Sequence, residues 1–228
     1  MMKTTKQITL ISSSHEELGE LNSNELYKIL LEIKPEIIFE ELFFTRSREN
    51  IYKYDIDKTV ETIAINKYIY ENKVIHVPVD FDYSSIINDV NIMYDKLNRI
   101  IDEKYKEHYQ KKSYLIGKYG FKCLNSNKFE FIVDELKTIE KETIIELNDD
   151  KLTNTFNQWE TINKIREDEI VKNVFKYSKE NDYKDAVLIF GVAHKKSILQ
   201  NIRNYSNEYN LKMSWKLYGF EYYNIFDS

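Results

Sequence analysis

Apolar positions recur along this chain in two periods, and the changes from one period to the other mark out its elements. "QITLIS" at 7–12 is a short β-rich run, and "SNELYKILLEI" at 23–33 places its apolar residues at helical spacing behind a Ser23 cap. Pro35 stops that helix and "EIIFEEL" at 36–42 returns to strand character. Strand, helix, strand is the unit from which parallel sheets are built. A helical stretch at 55–71 and the strand "VIHVPVD" at 74–80 repeat it. From 83 to 181 the pattern is helical and rich in Lys, Glu, Tyr and Ile, with an interruption near "GKYGFKCLNSN" at 117–127. Strand character resumes at "AVLIFG" (186–191), followed by a helix at 195–208 and a run at 211–219. In that last run Leu211, Met213, Trp215 and Leu217 alternate with polar residues, the pattern of an edge strand with one buried face.

These elements predict an α/β protein with a mainly parallel central sheet flanked by helices. A single domain is expected over 1–228, with an α/β core at 1–82 and 183–228 and a long helical insertion at 83–182. In an open α/β sheet ligands collect at the carboxyl ends of the strands. Four predicted strands deliver an ionisable side chain there: His15 after "LISSS", Glu41 in "IIFEEL", Asp80 in "HVPVDFD" and His194 after "LIFGVA".

Two imidazoles and a carboxylate make a common three-ligand set for a divalent ion such as Zn, Mn or Co, with a position left for an acidified water. No HExxH motif accompanies them. A histidine after a strand is otherwise a hydrogen-bonded loop residue. The strand period sends Glu40 and Glu41 to opposite faces, so both do not reach one atom. Glu40 then reads as solvated, helix-facing, or a partner to a site histidine. Arg166 lies among acids on a helix whose buried side is marked by Ile162, Ile165, Ile170 and Val174, and its plain reading is a surface partner of Glu169 or Glu160. His76 reads as packed within its strand and His108 as exposed on a helix. Ser12, Ser13 and Ser14 read as hydrogen-bonding residues, since no G-x-S-x-G elbow and no glycine-rich phosphate loop is present.

Composition narrows the classes. With 228 residues, 42% hydrophobic and 31% charged, the chain is suited to one sizeable core. A net charge of −5 argues against nucleic acid as a main partner. Cys123 is the single cysteine, which excludes an internal disulfide and a cysteine-based zinc site. No stretch approaches the roughly 18 apolar residues of a membrane span, and the apolar run at the N-terminus is too short for a signal-peptide core. A cytoplasmic location without a membrane partner is the expectation.

The stretch "SSSHEELGELNSNELYKILLEIKPEIIFEEL" followed by "TRSR" resembles the opening of the TraB/PrgY-like family, which is related to the Tiki proteases. In that family a G-x-x-H motif ends the first strand, and a Pro leads into a second strand ending in Glu-Leu with an Arg soon after, as Pro35, Glu41, Leu42 and Arg46 do here. "VDFD" is similar to the family's Asp-Arg-Asp segment, with Phe81 in place of the Arg. "REDEIVKNV" resembles its helical Arg segment and "GVAH" its second G-x-x-H, carried by Gly191 and His194. The likeness covers 7–82 and 160–200. The first motif departs from the pattern, with Ser12 where the family has Gly.

The resemblance selects Glu41 over Glu40 and implies one site. Its metal ligands would be His15, Glu41 and His194, with Glu41 alternatively the base that deprotonates water. Arg166 would stabilise the oxyanion, and Arg46 and Asp80 would contact substrate. The implied activity is that of a metal-dependent hydrolase, a peptidase in Tiki-type relatives, with a peptide or small-molecule ligand. Two alternatives stay open. The His–Glu pair would act as acid and base without metal, or hold a small anion. A non-catalytic module would sequester a peptide or small ligand, helped by Tyr105, Tyr109, Tyr114, Tyr119, Phe121 and Phe129 of the insertion, whose plainer role is helix packing.

Overall fold

The computed structural model describes residues 5–43, 59–100, 103–209 and 211–219. Five strands form one sheet: β1 (Lys6–Ser13), β2 (Ile37–Phe43), β3 (Ile75–Asp80), β4 (Asp185–Gly191) and β5 (Met213–Leu217). Their spatial order is β3-β2-β4-β1-β5 and every pairing is parallel, so the fold is α/β as expected, with β5 at an edge. Seven helices flank it among the described residues: α1 (Ser23–Ile33), α2 (Val60–Glu71), α3 (Ser84–Ile100), α4 (Glu103–Leu124), α5 (Asn127–Glu146), α6 (Asp150–Glu180) and α7 (Lys195–Tyr209). The part of the expected helix at 55–58 lies outside the described residues.

Alternation along the strands builds two cores. Ile8, Leu10, Phe39, Leu188 and Phe190 pack with Ile170, Val171, Val174 and Phe175 of α6 and Ile198 and Ile202 of α7. Ile11, Ile38, Val187 and Ile189 face the other way, onto Leu26, Ile29 and Leu30 of α1 and Val60, Ala64, Ile65 and Tyr68 of α2. The central strands are thus buried on both faces, as parallel sheets require. The second half of α6 belongs to the sheet's core, whereas its first half joins α3 and α5 in a separate cluster around Met93, Leu97, Ile144 and Phe156.

Local chemistry sets the element ends. The cap of α1 is Asn22, one residue before the expected Ser23: the Asn22 side chain accepts from the Glu25 N–H, while Ser23 donates its Oγ hydrogen to Glu17 at 2.6 Å. The helix stops at Lys34, which is left-handed with φ 53°, just before Pro35. The break expected in the insertion is real, since Gly120 has φ 53° and a Cβ there would stand 2.7 Å from the Glu20 carbonyl oxygen. Among the described residues, no helix is long and apolar enough to cross a membrane.

Candidate functional site

Because all strands run the same way, their carboxyl ends share one edge. β4 lies between β1 and β2, pairing Ser13 with Gly191 on one side and Glu40 with Ile189 on the other. The residues after Ser13, Glu40 and Gly191 are therefore neighbours although they are far apart in sequence.

Glu40 and Glu41 diverge, as the strand period dictates. Glu40 is buried and meets His76 Nε2 at 2.5 Å, so it is not solvated and its counter-ion is His76, not Arg166. Glu41 has both oxygens occupied: Oε1 accepts from Arg166 Nη2 at 2.5 Å, and Oε2 accepts from the Gly191 N–H at 2.7 Å. Burial pushes the Glu41 carboxyl up, but the charges of His194 and Arg166 and the Gly191 N–H outweigh it and hold the group below its ordinary value.

Arg166 is no surface residue. It is 3% exposed, donates from Nε and Nη2 to Asp80 at 3.1 and 2.8 Å and from Nη1 to Asn163 at 3.1 Å, and its guanidinium lies 3.9 Å from the Tyr83 ring centroid. Of the positions expected on the buried face of α6, Ile170 and Val174 are buried and Ile162 packs on the helical cluster, whereas Ile165 is 48% exposed and Arg166 is buried instead. Two carboxylates from neighbouring strands explain the difference, because they outcompete solvent for a planar cation that can bond both at once. Burial raises the Asp80 carboxyl, with Arg166 opposing it.

His194 follows β4 in a short 3-10 turn, Val192–His194. Its Nδ1 lies 2.8 Å from Oε1 of the buried Glu167, and its Nε2 faces Glu41 Oε1 at 3.4 Å without a hydrogen bond. The helical pair Arg166 and Glu167 thus holds Glu41 from one side and His194 from the other. Glu167 was not singled out from sequence, and its one signal is its place beside Arg166 in "REDE".

His15 is turned elsewhere. Its side chain is 66% exposed and its Nδ1 stands 3.6 Å from Oε2 of the buried Glu61, in the first turn of α2. The Glu61 carboxylate raises His15 to about 9. His15 and Glu41 line one cavity of about 320 Å³ together with Glu61, Glu40 and Gly191. His194 instead lines a groove of about 770 Å³ with Trp159, Asn163 and Lys137 of the helical insertion. Arg46 lies outside the described residues. His108 is partly buried beside Glu135, which stands 3.4 Å from its Nε2.

Ser12 carries no backbone strain. Among the described residues only Lys34 and Asn148 are non-glycine residues with positive φ, and Gly191 itself is extended at φ −63°. A Cβ at Gly191 would meet Glu41 and His194 at an ordinary 3.5 Å. Ser12 is instead tied down by Asn125, whose Oδ1 accepts its N–H at 2.9 Å and whose Nδ2 donates to its carbonyl at 3.3 Å.

Compared with known proteins, the chain matches no family model, no curated protein and no solved structure.

Proposed function

We propose that the strand-end cleft is a hydrolytic site for a peptide or small-molecule carbonyl compound, with His194 as its acid and base. The observation that carries this reading is the Glu167–His194 contact. A carboxylate on Nδ1 fixes the tautomer that carries its proton there, and so leaves the Nε2 lone pair free to take a proton from water. The water, so activated, attacks the carbonyl carbon, and His194 returns the proton to the leaving atom. The imidazolium formed in between lies between Glu167 and Glu41. Arg166 acts through Glu41 by holding its charge in place.

A divalent ion on His15, Glu41 and His194 is the competing reading. His194 suits it, because a histidine ligand characteristically donates its second ring nitrogen to a carboxylate. The other two residues do not suit it as arranged. Glu41 already bonds a guanidinium and a backbone N–H, and His15 faces Glu61. Among the described residues no group of three or more His, Cys, Asp or Glu side chains is placed to hold a metal. No step is therefore routed through one.

The test is turnover of a mixed peptide pool by wild type and His194→Ala, with and without a chelator. A chelator-insensitive activity that falls roughly 10²–10⁴-fold in the variant supports the proposal. Activity lost to the chelator and restored by Mn, Co or Zn favours the metal reading. Peptide retention without turnover favours a sequestering module.

A further inference from the structure

We propose that the 320 Å³ cavity between His15 and Gly191 is a subsite for a free amino group, with Glu61 as its counter-charge. Glu61 is 6% exposed, lines the cavity, and makes no hydrogen bond with either oxygen. His15 is its ion-pair partner, but at 3.6 Å it lies beyond hydrogen-bond reach. A buried carboxylate without donors is costly, and an ammonium group brings three. Burial opposes the charge of Glu61, but His15, the nearby Ser13 hydroxyl and its own backbone N–H outweigh burial and hold the carboxyl below its ordinary value.

The remaining walls agree with this sign. Glu40 and Glu41 also line the cavity, while their counter-ions His76 and Arg166 are not among its lining residues. His15 is the one cationic side chain that lines it, among the described residues. An entering carboxylate or phosphate would meet three acids, whereas an ammonium meets a donor-starved one. Leu42, Phe43 and Ile189 supply apolar surface beside the charge, which suits the carbon skeleton of an amino-terminal residue.

The inference rests on the hydrolytic reading for its orientation. The cavity is at the small end of the roughly 300–1,000 Å³ typical of ligand pockets, and the groove at His194 is larger, at about 770 Å³. Glu41 lines the first and faces His194, which lines the second. The free amino terminus of a short peptide or amide then occupies the cavity, and the rest of the substrate leaves along the groove. Hydrolysis breaks the C–N bond near His194, adding the hydroxyl of water to the carbonyl carbon and its hydrogen to the departing nitrogen.

Binding tests the subsite separately from turnover. L-phenylalaninamide and its N-acetyl derivative differ in the charged amine, and each is titrated into wild type, Glu61→Gln and His194→Ala by calorimetry and thermal shift. The expected result is saturable binding of the free amine alone, weakened roughly ten- to hundredfold in Glu61→Gln, as the loss of a hydrogen bond to a charged group implies. In His194→Ala binding persists while turnover is lost. Thr62→Leu, which narrows the cavity wall without removing a charge, weakens binding as well and serves if Glu61→Gln does not fold. Equal binding of both compounds, binding of neither, or an affinity indifferent to both cavity variants overturns the subsite. Amine binding without amide turnover in wild type supports the subsite and removes the hydrolytic reading alone.

Discussion

Replacing Arg166 with methionine would leave two carboxylates buried around an uncharged side chain. The side chains of Arg166, Glu41 and Asp80 are 4%, 6% and 1% exposed, so water does little to screen them. Removing one partner of a buried ion pair costs about 3–5 kcal/mol. Here two carboxylates lose the same cation, and the loss should sit near the upper end, against a total stability of about 5–15 kcal/mol for a domain. The pH dependence has a definite sign. In the wild type Glu41 is held below its ordinary 4.5, so its contribution is present above that value and is lost as the pH falls through the folded-state value. Burial raises Asp80, so its neutral form is favoured in the folded state, and its contribution is lost as the pH rises through that raised value. Without the guanidinium both carboxyls move up, and protonating them relieves the penalty. Urea denaturation followed by circular dichroism at pH 7.5 and pH 5 should show a deficit in Arg166→Met that shrinks at the lower pH. Adding Asp80→Asn to the variant should restore at least about 1 kcal/mol by removing an unpaired charge. A loss under about 1 kcal/mol at pH 7.5, the size of an exposed pair, or a deficit that grows on acidification, would refute the reasoning.

Three other expectations follow from contacts described above. His15 is raised from 6.5 to about 9 by Glu61, so its contribution is whole below 6.5 and is lost as the pH rises through about 9. Thermal shifts across that window should show wild type losing more stability than Glu61→Gln. Asn125 bonds the Ser12 N–H and carbonyl and donates to the Phe121 carbonyl at 2.8 Å. Asn125→Ala should cost about 1–3 kcal/mol in urea denaturation by leaving buried groups unpaired. Glu167→Gln should lower peptide turnover roughly 10²–10⁴-fold, because the amide no longer fixes the His194 tautomer. Its melting temperature should change far less than that of Arg166→Met.

What could be read from the chain divides along the line between strands and helices. A strand's period of two needs only a few residues to declare itself, and in a parallel sheet every strand end points to the same edge whatever the spatial order. His15, Glu41, Asp80 and His194 could therefore be placed at one edge without knowing that β4 inserts between β1 and β2, and Glu40 could be separated from Glu41 by parity alone. A helix gives no such certainty. Arg166 and Glu167 sit in a charged stretch of a 31-residue helix whose first half packs on other helices and whose second half packs on the sheet. One apolar stripe cannot describe both halves, and the expected stripe misplaced Ile165. Glu61 drew no attention in the sequence, because what isolates it is a cavity that forms only where the ends of β2 and β4 meet the start of α2.

The same division orders the electrostatics. Strands bring the groups that meet at the edge, and helices bring what determines their charge: Arg166 against Glu41 and Asp80, Glu167 against His194, Glu61 against His15. Strand ends are fixed by backbone pairing, so a change at Glu41 or Asp80 alters the chemistry while the sheet keeps its register. A change at Arg166, Glu167 or Glu61 acts instead on the charge or tautomer of the strand-end group that each one faces. Variants of the second kind should therefore shift the pH profile of whatever activity they retain, whereas replacing Glu41 should lower it without such a shift. That contrast separates a working site from a merely structural ion-pair network, which would show changes in stability with no pH-dependent activity to move.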